Sequence, residues 1–190
     1  MNREQQKQIT REKILLTSAR LFQEVGYNKV STRLIAKEAG VAIGTVFAHF
    51  EDKKTLTMAL FHHKLDAIIE GLFQEASTQP TGLEFFLSYA NGLYDFYNED
   101  RAFSIALLQS SFFDVAYFEQ QVSMFIALIA DKLKTDYPKL NGDQHLALAK
   151  SFFGFYFFQL MLGLKNPNTR PQEWLQGLRV DCEMLLSTVK

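Results

Sequence analysis

The stretch whose reading decides the fold runs from Ser31 to Leu56, STRLIAKEAGVAIGTVFAHFEDKKTL. Ser31 suits a helix N-cap, because its hydroxyl can accept a hydrogen bond from a free amide of the next turn. Thr32 to Ala39 then reads as a short helix burying Ile35, Ala36 and Ala39. Gly40 ends it, since glycine takes the left-handed conformation of a tight interhelical turn without steric cost. A second short helix is expected over Ile43 to His49, and Asp52 caps a long one reaching about Ser77. Small Ala36 and Ala39 let the two short helices cross closely and steeply, which is how a second helix is set up to enter a DNA major groove. That groove is about 12 Å wide and admits one helix, presented by its amino-terminal half. A reading helix must therefore begin with slender residues, and Ala42, Ile43, Gly44 and Thr45 meet that requirement. Gly44 costs about 1 kcal/mol relative to alanine in a helix, which close approach to DNA can offset.

Working outward, Glu4 to Val25 reads as a first helix with Ile14, Ser18, Leu21 and Val25 on one face and Leu15, Ala19 and Phe22 alongside. Gly26 stops it. The long helix after Asp52 places Leu56, Leu60, Ala67 and Leu72 at core spacing, and the segment 78–82, with Pro80, is the first clear break. Helices follow over Leu83–Tyr97, Ala102–Ser110 and Val115–Tyr137. Asn141 with Gln144 forms a capping-box-like start for a helix to Leu164. Pro171 opens the last, to about Val189. No strand alternation or internal repeat is present, so the predicted fold is all-α with about nine helices. A three-helix helix-turn-helix head is expected over residues 1–52, and a helical sensing and dimerisation bundle over residues 53–190.

The charge divides with the helices. Residues 1–64 carry eleven Lys and Arg against six Asp and Glu, whereas residues 65–190 carry nine against fifteen. A basic head on an acidic body is expected when only the head meets a polyanion. The single cysteine, Cys182, excludes an internal disulfide. The polar start, Met1 to Thr10, reads as neither signal peptide nor anchor. The longest apolar run, Phe152 to Leu164, is shorter than the roughly 20 residues a bilayer span needs. A soluble, cytoplasmic protein without a membrane partner is expected.

The motif resembles the tetracycline-repressor (TetR) family of bacterial regulators. Ile35-Ala36, Ala39-Gly40-Val41, Gly44-Thr45, His49-Phe50, Lys53 and Leu56 stand in that family's register, and with the first helix the likeness covers roughly residues 9–60. The resemblance implies that Ala42, Gly44 and Thr45 face base edges or nearby backbone. It places Phe47, His49 and Lys53 along phosphates and brings Ser31, Thr32 and Arg33 to phosphates from the preceding helix, with a base contact equally open to Arg33. Ala42 stands where the family usually has serine, and Phe47 where it usually has tyrosine, so two hydroxyl contacts are missing. Val46 and Phe50 read as core.

The 111 residues from Pro80 onward hold 20 of the 26 aromatic residues. Most are expected to be core filling. A cavity among them would favour an apolar or aromatic effector, and Phe86, Tyr89, Leu93, Phe103, Leu107, Phe125, Phe152 and Tyr156 are its candidate lining. Ser151 to Leu164 is apolar around its whole circumference and therefore needs burial on all sides. Pairing with the last helix (Trp174, Leu175, Leu178, Leu185, Leu186) across a two-fold axis would supply it as a homodimer. The expected function is thus a repressor on a pseudopalindromic operator, released by a small effector, with no cofactor or metal. An enzyme is the first rival, but zinc, phosphate-loop and nucleophile-elbow motifs are lacking, and His62, His63 and Asp66 read as exposed helix polarity. An apolar-ligand carrier with a vestigial head is the second, opposed by the basic head and the intact Gly40 turn.

Overall fold

The computed structural model describes residues 2–111 and 115–189. Among the described residues it contains nine α-helices: α1 (Arg3–Val25), α2 (Thr32–Glu38), α3 (Ile43–His49), α4 (Lys53–Ser77), α5 (Gly82–Glu99), α6 (Arg101–Ser111), α7 (Val115–Asp136), α8 (Gly142–Lys165) and α9 (Pro171–Ser187). A one-turn 3₁₀ helix, Tyr27–Lys29, joins α1 to the helix-turn-helix. The chain packs as two compact units. One holds the residues up to Ile68 together with α6 from Ala102, and the other holds Ile69–Arg101 with α7 to α9. This packing division falls inside α4, later than the functional boundary expected at 52/53.

Local chemistry sets the head. Asn2 caps α1 by accepting from the Gln5 amide at 2.8 Å, and the Gln5 side chain accepts from the Asn2 amide at 2.9 Å. Gly26 ends the helix at φ 89°. Ser31 accepts from the Leu34 amide at 3.2 Å and so caps α2. Gly40 adopts φ 62°, and the Val41 amide reaches back to the Ala36 carbonyl at 3.0 Å, closing α2 as a Schellman turn. Asp52 accepts from both the amide and the hydroxyl of Thr55 at the start of α4. The core of this unit includes Ile14, Leu15, Leu21, Phe22, Val30, Ile35, Ala36, Ala39, Val46, Phe50, Leu56 and Leu60. Each large aliphatic side chain among them stabilises the unit by about 1.5–3 kcal/mol of transfer free energy. Two expectations fail here. Val25 is exposed, since Leu21 and Phe22 complete the buried stripe one turn earlier, and Ala67 is exposed while Phe61 and Leu65 carry the buried face of α4.

In the second unit α5 is the central element, burying Phe85, Phe86, Tyr89, Ala90, Leu93, Tyr94 and Tyr97. Its start is held by Thr81, which accepts from the Glu84 amide, and by Asp136 of α7, which accepts from the Gly82 amide. Asn141 and Gln144 form the expected capping box on α8. The α8–α9 junction is clamped by Arg101, whose guanidinium donates to the carbonyls of Gly163, Asn166 and Thr169 and lies 5.1 Å from the Trp174 ring.

α8 buries Leu148, Ala149, Phe152, Tyr156, Leu160 and Leu164 but exposes Phe158, Met161 and Leu162. Trp174 and Leu178 of α9 face inward, while Val180 and Met184 face outward. The inward pair, expected at a partner's surface, is thus used within the chain. α8 is also longer than the apolar run Phe152 to Leu164 within it. Its 24 residues, with a window of mean hydropathy 1.4, are long and apolar enough to cross a membrane by length and composition, although 33% of that window is buried inside the protein.

Candidate nucleic-acid interface

The nine residues expected at DNA are all solvent-accessible. Ser31, Arg33, Ala42, Gly44 and Phe47 are exposed, and Thr32, Thr45, His49 and Lys53 are half-buried. Val46 and Phe50, read as core, are 0% and 2% exposed. α3 is therefore anchored by one side and presents Ala42, Ile43, Gly44, Phe47 and Ala48 on the other. Phe47 is 49% exposed, a large ring left in water beside a glycine and two alanines.

The start of α3 is locally weak. Ala42 stands at its N-cap and supplies no side-chain hydrogen bond. Nothing lies within 4 Å of where a Cβ on Gly44 would sit, so the glycine is not required by the chain's own packing. An uncapped helix with glycine as its second residue gives up stability that serine at the cap and alanine at that position would supply.

Electrostatics set two candidates apart in the free head. The Lys53 ammonium, expected along the phosphates, here donates to the Tyr27 carbonyl, lies 3.9 Å from the Tyr27 ring centroid, and has its pKa lowered by desolvation. The amino end of α4 already holds the Asp52 carboxylate. His49 has its pKa held below the ordinary imidazole value, first by partial burial and then by the cations Lys7 and Arg11. The free head therefore presents His49 as a neutral imidazole at neutral pH.

Lys7 and Arg11 were not anticipated. They belong to the amino-terminal half of α1, which forms one wall of an open cleft of about 760 Å³ lined by Asn2, Arg3, Lys7 and Thr10 from α1 and by Thr45, Ala48 and His49 from α3, among others. The available signal was the spacing of Arg3, Lys7 and Arg11, one helical turn apart on one face. Among the described residues no group of three or more His, Cys, Asp or Glu is arranged to hold a metal ion. His62, read as exposed polarity, is half-buried, with its pKa lowered by burial and opposed by Asp66.

The expected effector residues divide between the two units. Phe86 meets Phe152 at 5.2 Å and Phe125 at 6.1 Å, Tyr89 meets Phe125 at 5.1 Å, and Phe125 meets Tyr156 at 6.0 Å between ring centroids. Five of the eight thus form one ring cluster from α5, α7 and α8, with Leu93 buried on α5. Phe103 and Leu107 are buried in the other unit, where Phe103 packs 5.9 Å from Phe22. Burial raises the pKa of Tyr89 to about 12 and also raises that of Tyr156, so both phenols in the cluster stay neutral.

Two short helices joined through a left-handed glycine, the second standing out from a basic head with its slender start in solvent, define a helix-turn-helix DNA-binding domain. Residues 14–60 match the family of bacterial regulatory proteins, tetR family. An HTH-type transcriptional regulator of Staphylococcus aureus is 26% identical over 150 residues, 76% of this chain and 80% of that protein. The fatty acid metabolism regulator protein of Bacillus subtilis is 31% identical over 71 residues, 37% of each chain. In fold the chain is similar to Thermus thermophilus FadR, a TetR-family repressor crystallised with lauroyl-CoA, at TM-score 0.73 and 19% identity over 93% of each chain. The chain thus carries the tetR-family domain over residues 14–60 and is similar to TetR-family transcriptional regulators in sequence and fold. TetR-family transcriptional regulators are non-catalytic DNA-binding proteins.

Proposed function

We propose that the chain is a ligand-released repressor. In this reading residues 1–52 read a pseudopalindromic operator, and residues 53–190 dimerise and take up a small apolar or aromatic effector. The observation that carries it is the exposed, uncapped start of α3, where Ala42, Gly44 and Thr45 let the backbone reach base edges while Val46 and Phe50 anchor the helix. Ser31, Thr32, Arg33, Phe47, His49 and Lys53 flank it as DNA-backbone contacts, Lys53 being held in the free head by the Tyr27 carbonyl.

Two heads must meet half-sites about 34–36 Å apart, which requires a two-fold dimer. The outer face of α8 and α9, with Phe158, Met161, Leu162, Val180 and Met184, is the surface we assign to the second copy in preference to lipid. The ring cluster of Phe86, Tyr89, Phe125, Phe152 and Tyr156, with Leu93, is the proposed effector site, and Phe103 and Leu107 of α6 are proposed to respond to its filling. Thermus FadR binds lauroyl-CoA and the Bacillus relative is a fatty acid metabolism regulator, so a long-chain acyl-CoA is the first effector to test. α4 is one continuous helix contributing to both units. A tilt of it would change the separation of the two heads and couple effector to operator by about 1–3 kcal/mol.

The experiment selects duplexes from a random-sequence library with the purified chain, then titrates the winner against scrambled DNA by fluorescence anisotropy, with and without lauroyl-CoA. Palindrome-dependent binding that weakens in Thr45→Ala and on adding lauroyl-CoA is expected. Enrichment of no sequence would overturn the operator reading. Release by no acyl-CoA would overturn the acyl-CoA assignment alone.

A further inference from the structure

α1 is three turns longer than the core needs. Every residue from Asn2 to Ile9 is exposed, and burial begins only at Ile14. Such a segment, polar on nearly every side, gains little from packing and is a marginal helix by itself. Here it is held by the Asn2–Gln5 capping box. Further along, the Arg11 guanidinium lies 5.1 Å from the Phe50 ring and so pins α1 against the end of α3.

The overhang forms one wall of the cleft whose other wall is Thr45, Ala48 and His49 of the reading helix. Arg3 and Lys7 both line that cleft and are separated by one turn, about 6 Å along the axis. Glu4, at the first turn, is the one carboxylate beside them. A ligand seated against Thr45 and His49 therefore meets two mobile cations on long stems before it meets the opposite wall. The field of Lys7 already acts across the cleft, since Lys7 is among the causes that lower the His49 pKa.

We propose that the overhang of α1 is a second DNA contact, in which Arg3 and Lys7 each neutralise a backbone phosphate flanking the groove that α3 reads. This rests on the operator-binding reading above. Its role is registry and affinity: phosphate contacts fix a protein's position on the duplex without carrying sequence information. The pair therefore widens the footprint of each head and leaves the choice of bases to α3 and α2.

The test compares the parent with an Arg3→Ala/Lys7→Ala double variant on the duplex that the parent selects from a random library, and on its scrambled counterpart, over a salt series. Both side chains are exposed and alanine favours helix, so the variant's far-ultraviolet spectrum and melting should match the parent's. Each phosphate contact steepens the fall of log affinity with log salt by about 0.9, so losing two on each head of the dimer flattens the slope by about 3.6. Between about 50 and 200 mM salt the parent should then lose about 150-fold more affinity than the variant. Preference for the selected over the scrambled duplex should be unchanged, and the charge-conserving Arg3→Lys/Lys7→Arg variant should keep the parent's slope. An unaltered slope in the alanine variant, with selective binding intact, overturns this inference and leaves the operator reading standing. A loss of selectivity without a change of slope overturns it too, by making the pair base readers. A parent that prefers no duplex removes both readings.

Discussion

Substituting Gly44 by alanine should move stability and DNA binding in opposite directions. Gly44 is the second residue of α3, and a Cβ added there meets no atom within 4 Å, so the free protein accepts the methyl without strain. Replacing glycine by alanine in a helix is worth up to about 1 kcal/mol, and a chain of this size gains about 2–4 °C in melting temperature for each kcal/mol. On DNA the same methyl stands on the face whose slenderness lets the backbone approach the bases. Forcing a methyl into a packed contact costs about 1–3 kcal/mol, which corresponds to a loss of operator affinity of about 5- to 150-fold. Differential scanning fluorimetry reads the first effect and fluorescence anisotropy on the selected duplex reads the second. A variant that melts higher and binds its operator as tightly as the parent would refute the reasoning, because the start of α3 would then not approach DNA closely. A variant that melts lower would refute the packing half of it, since something unseen would have to occupy the space around the glycine.

At Gly163 the same substitution should have the opposite effect on stability, because its Cβ would stand 2.1 Å from the Trp174 ring, which is held by Thr169 through a 2.9 Å hydrogen bond and by the Arg101 guanidinium. A loss of about 1–3 kcal/mol in chemical denaturation is expected, relieved in part when Trp174→Leu is combined with it; parent-like stability would mean the α8–α9 seam yields more easily than its geometry implies. The Glu84–Arg179 pair joins α5 to α9 at 2.6 Å with both side chains about a third exposed, and Arg179 is the first cause of the lowered Glu84 pKa. A lowered carboxyl pKa contributes stability above its unfolded value near 4.3 and loses it as pH falls through the folded value, so Glu84→Gln should cost at most about 1 kcal/mol at pH 7 and nothing in strong acid. A pH-independent difference between variant and parent would rule out the ionic contribution. Phe158→Asp combined with Met184→Asp should convert the dimer to a helical monomer in analytical ultracentrifugation, and an unaffected dimer would place the interface elsewhere.

The parts of the fold that were legible are those fixed within a few residues of chain. Ser31, Asp52 and Asn141 cap helices where their side chains alone place them, and Gly26 and Gly40 take positive φ because ending those helices demands it. The helix-turn-helix is made almost entirely of such devices, so both it and the solvent side of α3 could be read directly.

The body resisted for a different reason. A helix of uniform apolarity such as α8 has no phase in its sequence, so nothing local says that Phe152, Tyr156 and Leu160 turn inward while Phe158, Met161 and Leu162 turn out. The inward side is chosen by what meets it. Gly163 admits the Trp174 ring at a distance no side chain would allow, Tyr94 donates to the Tyr156 carbonyl at 2.9 Å, and Arg101 seals the junction. Once Trp174 is drawn in by that glycine, Leu178 and Cys182 follow one and two turns later on the same stripe of α9. Val180 and Met184 are then left on the outside by helical geometry. The sequence expectation put Trp174 at the partner surface because the last helix was paired with the all-round apolar run of α8 across a two-fold axis. A single missing Cβ on the neighbouring helix reverses that choice, and with it the identity of the residues a second copy would meet.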